Sequence, residues 1–165
     1  MRKIVLAVAV IFVLAVLVPQ YSFAKEYKIA YVDLAKVFDE YSKTKEADKA
    51  LEEKGKSKEA DRKKLVDDIR KLRDEQALLS DKAKAEKQPA IDAKIKQLQD
   101  FDRSARDEII KQRNDSVGNI LKDIEKVVTD YSKQEGYDVI FNSRMLLYGN
   151  ETMDLTPEIL KRLNK

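Results

Sequence analysis

The sequence predicts an α+β protein in which a small β-rich body carries a long antiparallel α-helical hairpin. Two observations carry this. Residues 42–131 hold one proline, Pro89, and two glycines, Gly55 and Gly118, and are saturated with Lys, Arg, Glu, Asp, Gln, Ala and Leu. Most of these are small or straight-chained residues that lose little rotamer freedom in a helix. Two helices of about 40–45 residues would each reach roughly 60–70 Å, beyond what a globular helix requires. The β-forming segments, by contrast, sit at opposite ends, at residues 27–32 and 137–155. A helix out, a reversal near residues 80–89 and a helix back would return the second β segment to the first.

Residues 1–24 read as a secretory signal. Arg2 and Lys3 precede an unbroken apolar run at residues 4–18, and Ser22-Phe23-Ala24 supplies a small-x-small ending, so cleavage is expected after Ala24. The competing reading, an uncleaved anchor, would need a span of about 20 apolar residues. No Cys follows, which excludes a thioether lipid anchor. The predicted divisions are this signal, a body of residues 25–42 and 118–165, and an arm of residues 43–117 with its tip near 80–89.

The first strand, residues 27–32, alternates Tyr27, Ile29 and Tyr31 against Lys28, Ala30 and Val32. Asp33 stands where an N-cap carboxylate is wanted, and Leu34, Val37, Phe38 and Tyr41 follow at helical spacing. Farther out, Leu51, Leu65, Leu72 and Leu79 keep a seven-residue register whose missing member is Lys58. Arg62, Ile69 and Gln76 occupy the alternate seam positions, and this polar-diluted second row suits a two-helix hairpin better than a tightly zipped coiled coil. Ile91, Ile95, Leu98, Phe101, Ala105 and Ile109 answer on the returning helix, and the stripe thickens toward Ile120, Ile124 and Val128. The thin outer seam leaves the arm bendable. At the tip, either Ser80 starts the second helix and Pro89 lies inside it, or Pro89 occupies its first turn.

Gly136 is the expected residue after the returning helix. A strand at residues 137–141, a turn at 142–144, a second apolar strand at 145–148, a turn at 149–150 and a short third strand at 151–155 are predicted, joined in hairpin style. Thr156 caps a last helix, with Pro157 in its first turn and Ile159, Leu160 and Leu163 on its apolar face. A unit this small is marginal alone, and its open strand edges invite pairing with other chains. The body is therefore expected to be an oligomerisation body, carried by Ile29, Tyr31, Val32, Val139, Phe141, Leu146 and Tyr148.

The chemistry of catalysis is missing. The chain has no His and no Cys, no Gly-rich phosphate loop, and none of the usual hydrolase or zinc motifs. Its many carboxylates interleave with Lys and Arg along helix faces, where they form weak i,i+4 pairs. No catalytic, cofactor-binding or metal-ligating residue is assigned, and no cofactor is expected. Residues 43–113 carry 21 Lys and Arg against 17 Asp and Glu, so the arm is mildly basic on a mildly acidic body. With no Tyr between Ser42 and Asp130, the arm lacks a stacking platform for nucleic acid.

With these elements placed, KIAYVDLAKVFDEY (residues 28–41) and GYDVIFNSRMLLYGNETMDLTPEILKRLNK (residues 136–165) resemble the opening and closing blocks of the OmpH/Skp family of periplasmic chaperones. LLSDKAKAEK and LQDFDRSARDEI match the middle in length and character. The resemblance implies a periplasmic, jellyfish-like homotrimer whose shared body projects three hairpins as tentacles around a cavity. It further implies an ATP-independent holdase that keeps unfolded outer-membrane proteins from aggregating through many weak contacts. Basic arms would also attract anionic lipid or lipopolysaccharide. No short motif of the family fixes client-binding residues. The alternative is a non-catalytic coiled-coil scaffold or spacer of the cell envelope, as in efflux adaptors. That class needs β-rich halves on both sides of its hairpin, and residues 25–32 are too few to form one.

Overall fold

The computed structural model describes residues 26–165, and the predicted signal lies outside them. The elements run β1 (Ile29–Val32), α1 (Leu34–Glu40), α2 (Ser42–Ala77), α3 (Asp81–Glu135), β2 (Val139–Asn142) and α4 (Thr156–Leu163). Single 3-10 turns at Ser143–Met145 and Glu151–Met153 lie between β2 and α4.

Asp33 caps α1, its Oδ1 accepting the Lys36 N–H at 3.0 Å. The chain breaks at Tyr41, whose extended backbone (φ −67°, ψ 129°) separates α1 from α2. Tyr41 has no side chain that can cap α2. The amide of Asn164, at the far end of the chain, takes that place by accepting the Ser42 N–H at 2.8 Å.

α2 and α3 form the antiparallel hairpin. At 36 and 55 residues they are about 54 and 82 Å long at the ordinary helical rise. The reversal is tighter than the tip sequence suggests, because only residues 78–80 separate the helices. Ser80 stands at the N-cap position and Pro89 lies inside α3, so the first of the two restart points is the one used. Gly136 ends α3 in the left-handed conformation (φ 71°, ψ 33°), and the Tyr137 N–H closes back onto the Ser132 carbonyl at 2.9 Å.

The sheet has two strands among the described residues, and they are parallel: Ile29 pairs with Val139, Ala30 with Ile140, Tyr31 with Phe141 and Val32 with Asn142. Turn-linked strands would have run antiparallel, and the predicted strands at 145–148 and 151–155 do not form. A strand exists only where a ladder partner does. Residues 146–148 have none among the described residues. At 150–152 the Asn150 side chain accepts the Thr152 N–H at 3.0 Å and turns the backbone. The third strand shrinks to one bridge, Tyr31 to Asp154, continued by the Leu155 N–H donating to the Tyr31 carbonyl at 2.9 Å.

The core sits where β1, α1, the inner end of α3 and α4 meet. Ala30, Val32, Val37, Tyr41, Ile120, Ile124, Leu155 and Ile159 are buried there. Thr156 is buried with them, and it is not the cap of α4: Leu155 holds that position and the Thr156 hydroxyl bonds elsewhere. Along the arm, burial of apolar residues falls to Ile69, Ile91 and Ala105.

Candidate interaction surfaces

Alternation along β1 sends Ala30 and Val32 inward, so Ile29 and Tyr31 face out, and the register sets Val139 and Phe141 beside them. Ile29 and Val139 are each 40% exposed and Phe141 37%. Four of the seven predicted body residues thus share one outer sheet face. Val32 does not join them. It is 4% exposed, on the opposite face, and belongs to the core of the chain itself. Leu146 is half-buried, and Tyr148 stands almost free in solvent beside Leu147, as does Met145. Sequence reasoning passed over Met145 and Leu147, although the apolar run that contains them was its only available signal.

Tyr31 is held in place by Gly149: a Cβ there would lie 2.6 Å from the phenol ring. Burial, followed by the Asp154 and Glu151 carboxylates, pushes the Tyr31 hydroxyl above its usual pKa, so it stays protonated. Beneath the free edge of β2, an apolar groove of about 390 Å³ opens between the sheet and α3. Leu121, Ile124, Val128, Ile140 and Phe141 line it. An uncovered face beside an unpaired strand edge is the kind of surface that associates.

At the base, Lys28 Nζ sits 4.1 Å from the Tyr137 ring centroid, Tyr137 stacks on Tyr131 at 6.0 Å, and the Arg162 guanidinium covers Tyr131 at 4.5 Å. This ladder ties β1, the end of α3 and α4 together.

Charge pairs span the arm where apolar burial thins. Lys58, the polar member of the leucine row, reaches Glu108 at 2.8 Å and lies 5.7 Å from the Phe101 ring. Arg62 bonds Asp102 at 3.0 Å, Lys54 Nζ donates to Gln112 at 2.9 Å, and Lys87 clasps Glu75 near the tip. The Lys58 hydrogen bond, then its charge, holds the Glu108 carboxyl below the usual carboxylate range, and Lys87 does the same to Glu75. Among the described residues no cluster of His, Cys, Asp or Glu could hold a metal ion, and no helix is long and apolar enough to cross a membrane.

The sequence model of the family described as "Outer membrane protein (OmpH-like)" matches residues 28–163. No curated protein matches the chain by sequence. Among solved structures, the chain is similar to a candidate OmpH-like outer membrane chaperone from Caulobacter crescentus, with a TM-score of 0.74 at 11% identity. That likeness covers 84% of this chain and 85% of the other, and at such identity it speaks to fold alone.

Proposed function

This chain belongs to the OmpH-like outer membrane protein family, and from that premise we propose that it is an ATP-independent periplasmic holdase. In this reading it binds unfolded outer-membrane proteins between helical arms and keeps them from aggregating. The observation that carries it is the arm itself. Its two helices run far beyond the core, yet bury only Ile69, Ile91 and Ala105 among their outer apolar residues. An element that adds so little to the core is built for something outside it. A thin seam held by exposed charge pairs can bend at little cost, and many weak contacts along such arms hold a client by multivalency.

The same proposal makes the body a homotrimer. The outer sheet face, the free edge of β2 and the irregular segment at residues 146–148, which joins no strand ladder among the described residues, together offer what another copy needs. Backbone groups at Leu147 and Tyr148 would find ladder partners, and the apolar side chains of Met145, Leu147 and Tyr148 would leave water. Anionic lipid or lipopolysaccharide is a further proposed partner, attracted by the arm's excess of Lys and Arg.

The test is dilution of a urea-unfolded outer-membrane β-barrel protein into buffer with the protein, without nucleotide, followed by light scattering. Suppressed scattering near one trimer per client is the expected result. No suppression at severalfold excess would remove the holdase reading and favour an envelope scaffold.

A further inference from the structure

Along the outer arm lies a groove that the inter-helix seam does not fill. Val66 and Ile69 from α2, with Ile95 and Leu98 from α3, make its apolar floor, in a cavity of about 380 Å³. Val66 is 38% exposed although it lies beside the buried Ile69. Arg70 and Arg73 stand on the rim with Asp74. The seam cations Lys58, Arg62, Lys87 and Lys94 each engage a carboxylate. Neither Arg70 nor Arg73 does so among the described residues, and Asp74 closes no ion pair with either. The groove therefore combines an apolar floor that is open to solvent at Val66 with two free guanidinium groups.

We propose that this groove seats an extended segment of unfolded polypeptide that presents an apolar side chain and a carboxylate on one side. The inference rests on the chaperone reading and deepens it by naming a contact site and its chemistry. In an extended chain, side chains two residues apart share a face at roughly 7 Å. An apolar residue can then enter the floor while the acidic residue two positions away meets a guanidinium. Arg suits this work because its planar fork accepts a carboxylate with two parallel hydrogen bonds. Charge complementarity selects an acidic segment over a basic one.

The test uses the protein expressed with its own leader and a fluorescein-labelled peptide of repeating Phe-Ser-Glu-Ser. A counterpart carries Lys for Glu, and binding is read by fluorescence anisotropy. The Glu peptide should bind more tightly than the Lys peptide. Val66→Ser and the pair Arg70→Ala with Arg73→Ala should each weaken Glu-peptide binding by roughly fivefold or more. All three positions are solvent-exposed, so helicity and solution mass should not change. Equal binding of the two peptides, or wild-type affinity in both variants, would overturn the assignment. So would a changed mass on Val66→Ser, which would make the groove a contact between copies. The aggregation assay separates the two levels of the argument. Client protection with unchanged peptide affinity across the variants removes the groove alone. Failed protection by the wild type removes the client reading, while peptide binding still decides whether the groove is a peptide site.

Discussion

The Thr156 hydroxyl accepts the backbone N–H of Asp33 at 2.8 Å, joining residues 123 positions apart. Asp154 Oδ1 in turn accepts the Thr156 N–H at 2.9 Å, and Asp33 Oδ1 caps α1. One relay thus starts two helices and fixes the end of β1 against α4. Thr156→Val keeps the volume but leaves the Asp33 N–H without an acceptor in a part-buried site, at a cost of about 1–3 kcal/mol. Thr156→Ser retains the oxygen and should lose less. Thermal unfolding of the two variants checks this, and a Val variant melting with the wild type would show that the bond adds nothing.

That relay also marks what could be read in advance. The Asp33 cap, the Gly136 stop and the leucine row with its gap at Lys58 are local patterns, each set by residues within a turn or a heptad. Thr156 looked like a local cap, but its partner lies at the other end of the chain and no short window contains both. The Asn164 amide at the start of α2 was hidden for the same reason. The strands at 145–148 and 151–155 were misread because β propensity fits a pleated surface and cannot say whether a partner is present. On β1, alternation set Ile29 and Tyr31 on one side, and both stand on the outer sheet face. The same alternation set Val32 on the opposite side with Ala30, and there it is buried, so its place among the expected association residues ran against the strand's own pattern.

Backbone freedom separates the glycines. Gly136 has φ 71°, where a Cβ crowds the following carbonyl. Gly136→Ala should destabilise the protein by about 1–2 kcal/mol. Gly55 and Gly118 lie in helix interiors, and a Cβ at either would meet nothing within 4 Å. Ala at each should stabilise the helices by about 0.5–1 kcal/mol. Denaturant midpoints that move in opposite directions for the two classes would support this account; a gain from Gly136→Ala would refute it.

The arm's charge pairs predict a pH dependence. Glu75 and Glu108 have carboxyl groups held below their usual values by Lys87 and Lys58. A depressed folded-state pKa contributes stability that is fully present above the unfolded value, about pH 4.3 for Glu. It is lost as the pH falls through the lower folded values. The double variant Glu75→Gln, Glu108→Gln removes both groups, so its melting temperature should fall less than the wild type's over that acid range. High salt should narrow the same difference, because both pairs are exposed to screening. Parallel acid profiles for the two proteins would mean that the pairs contribute nothing.

Body and arm can be separated by where a charge is introduced. Val139 lies on the outer sheet face and is 40% exposed in the single chain, whereas Val32 is 4% exposed in its core. Val139→Asp should therefore leave the helices folded but reduce the solution mass to that of one chain, because only association would bury that carboxylate. Val32→Asp should lose the fold itself. Removing residues 62–105 as a unit should do the reverse of Val139→Asp: the body's multiple of the chain mass stays, and client protection goes. Sedimentation and circular dichroism read the first pair, and light scattering reads the deletion. If Val139→Asp kept the wild-type mass, the outer sheet face would not be where copies meet. If the deletion still protected clients, the binding surface would lie on the body or the inner arm beside it, because the outer arm with its groove would be gone.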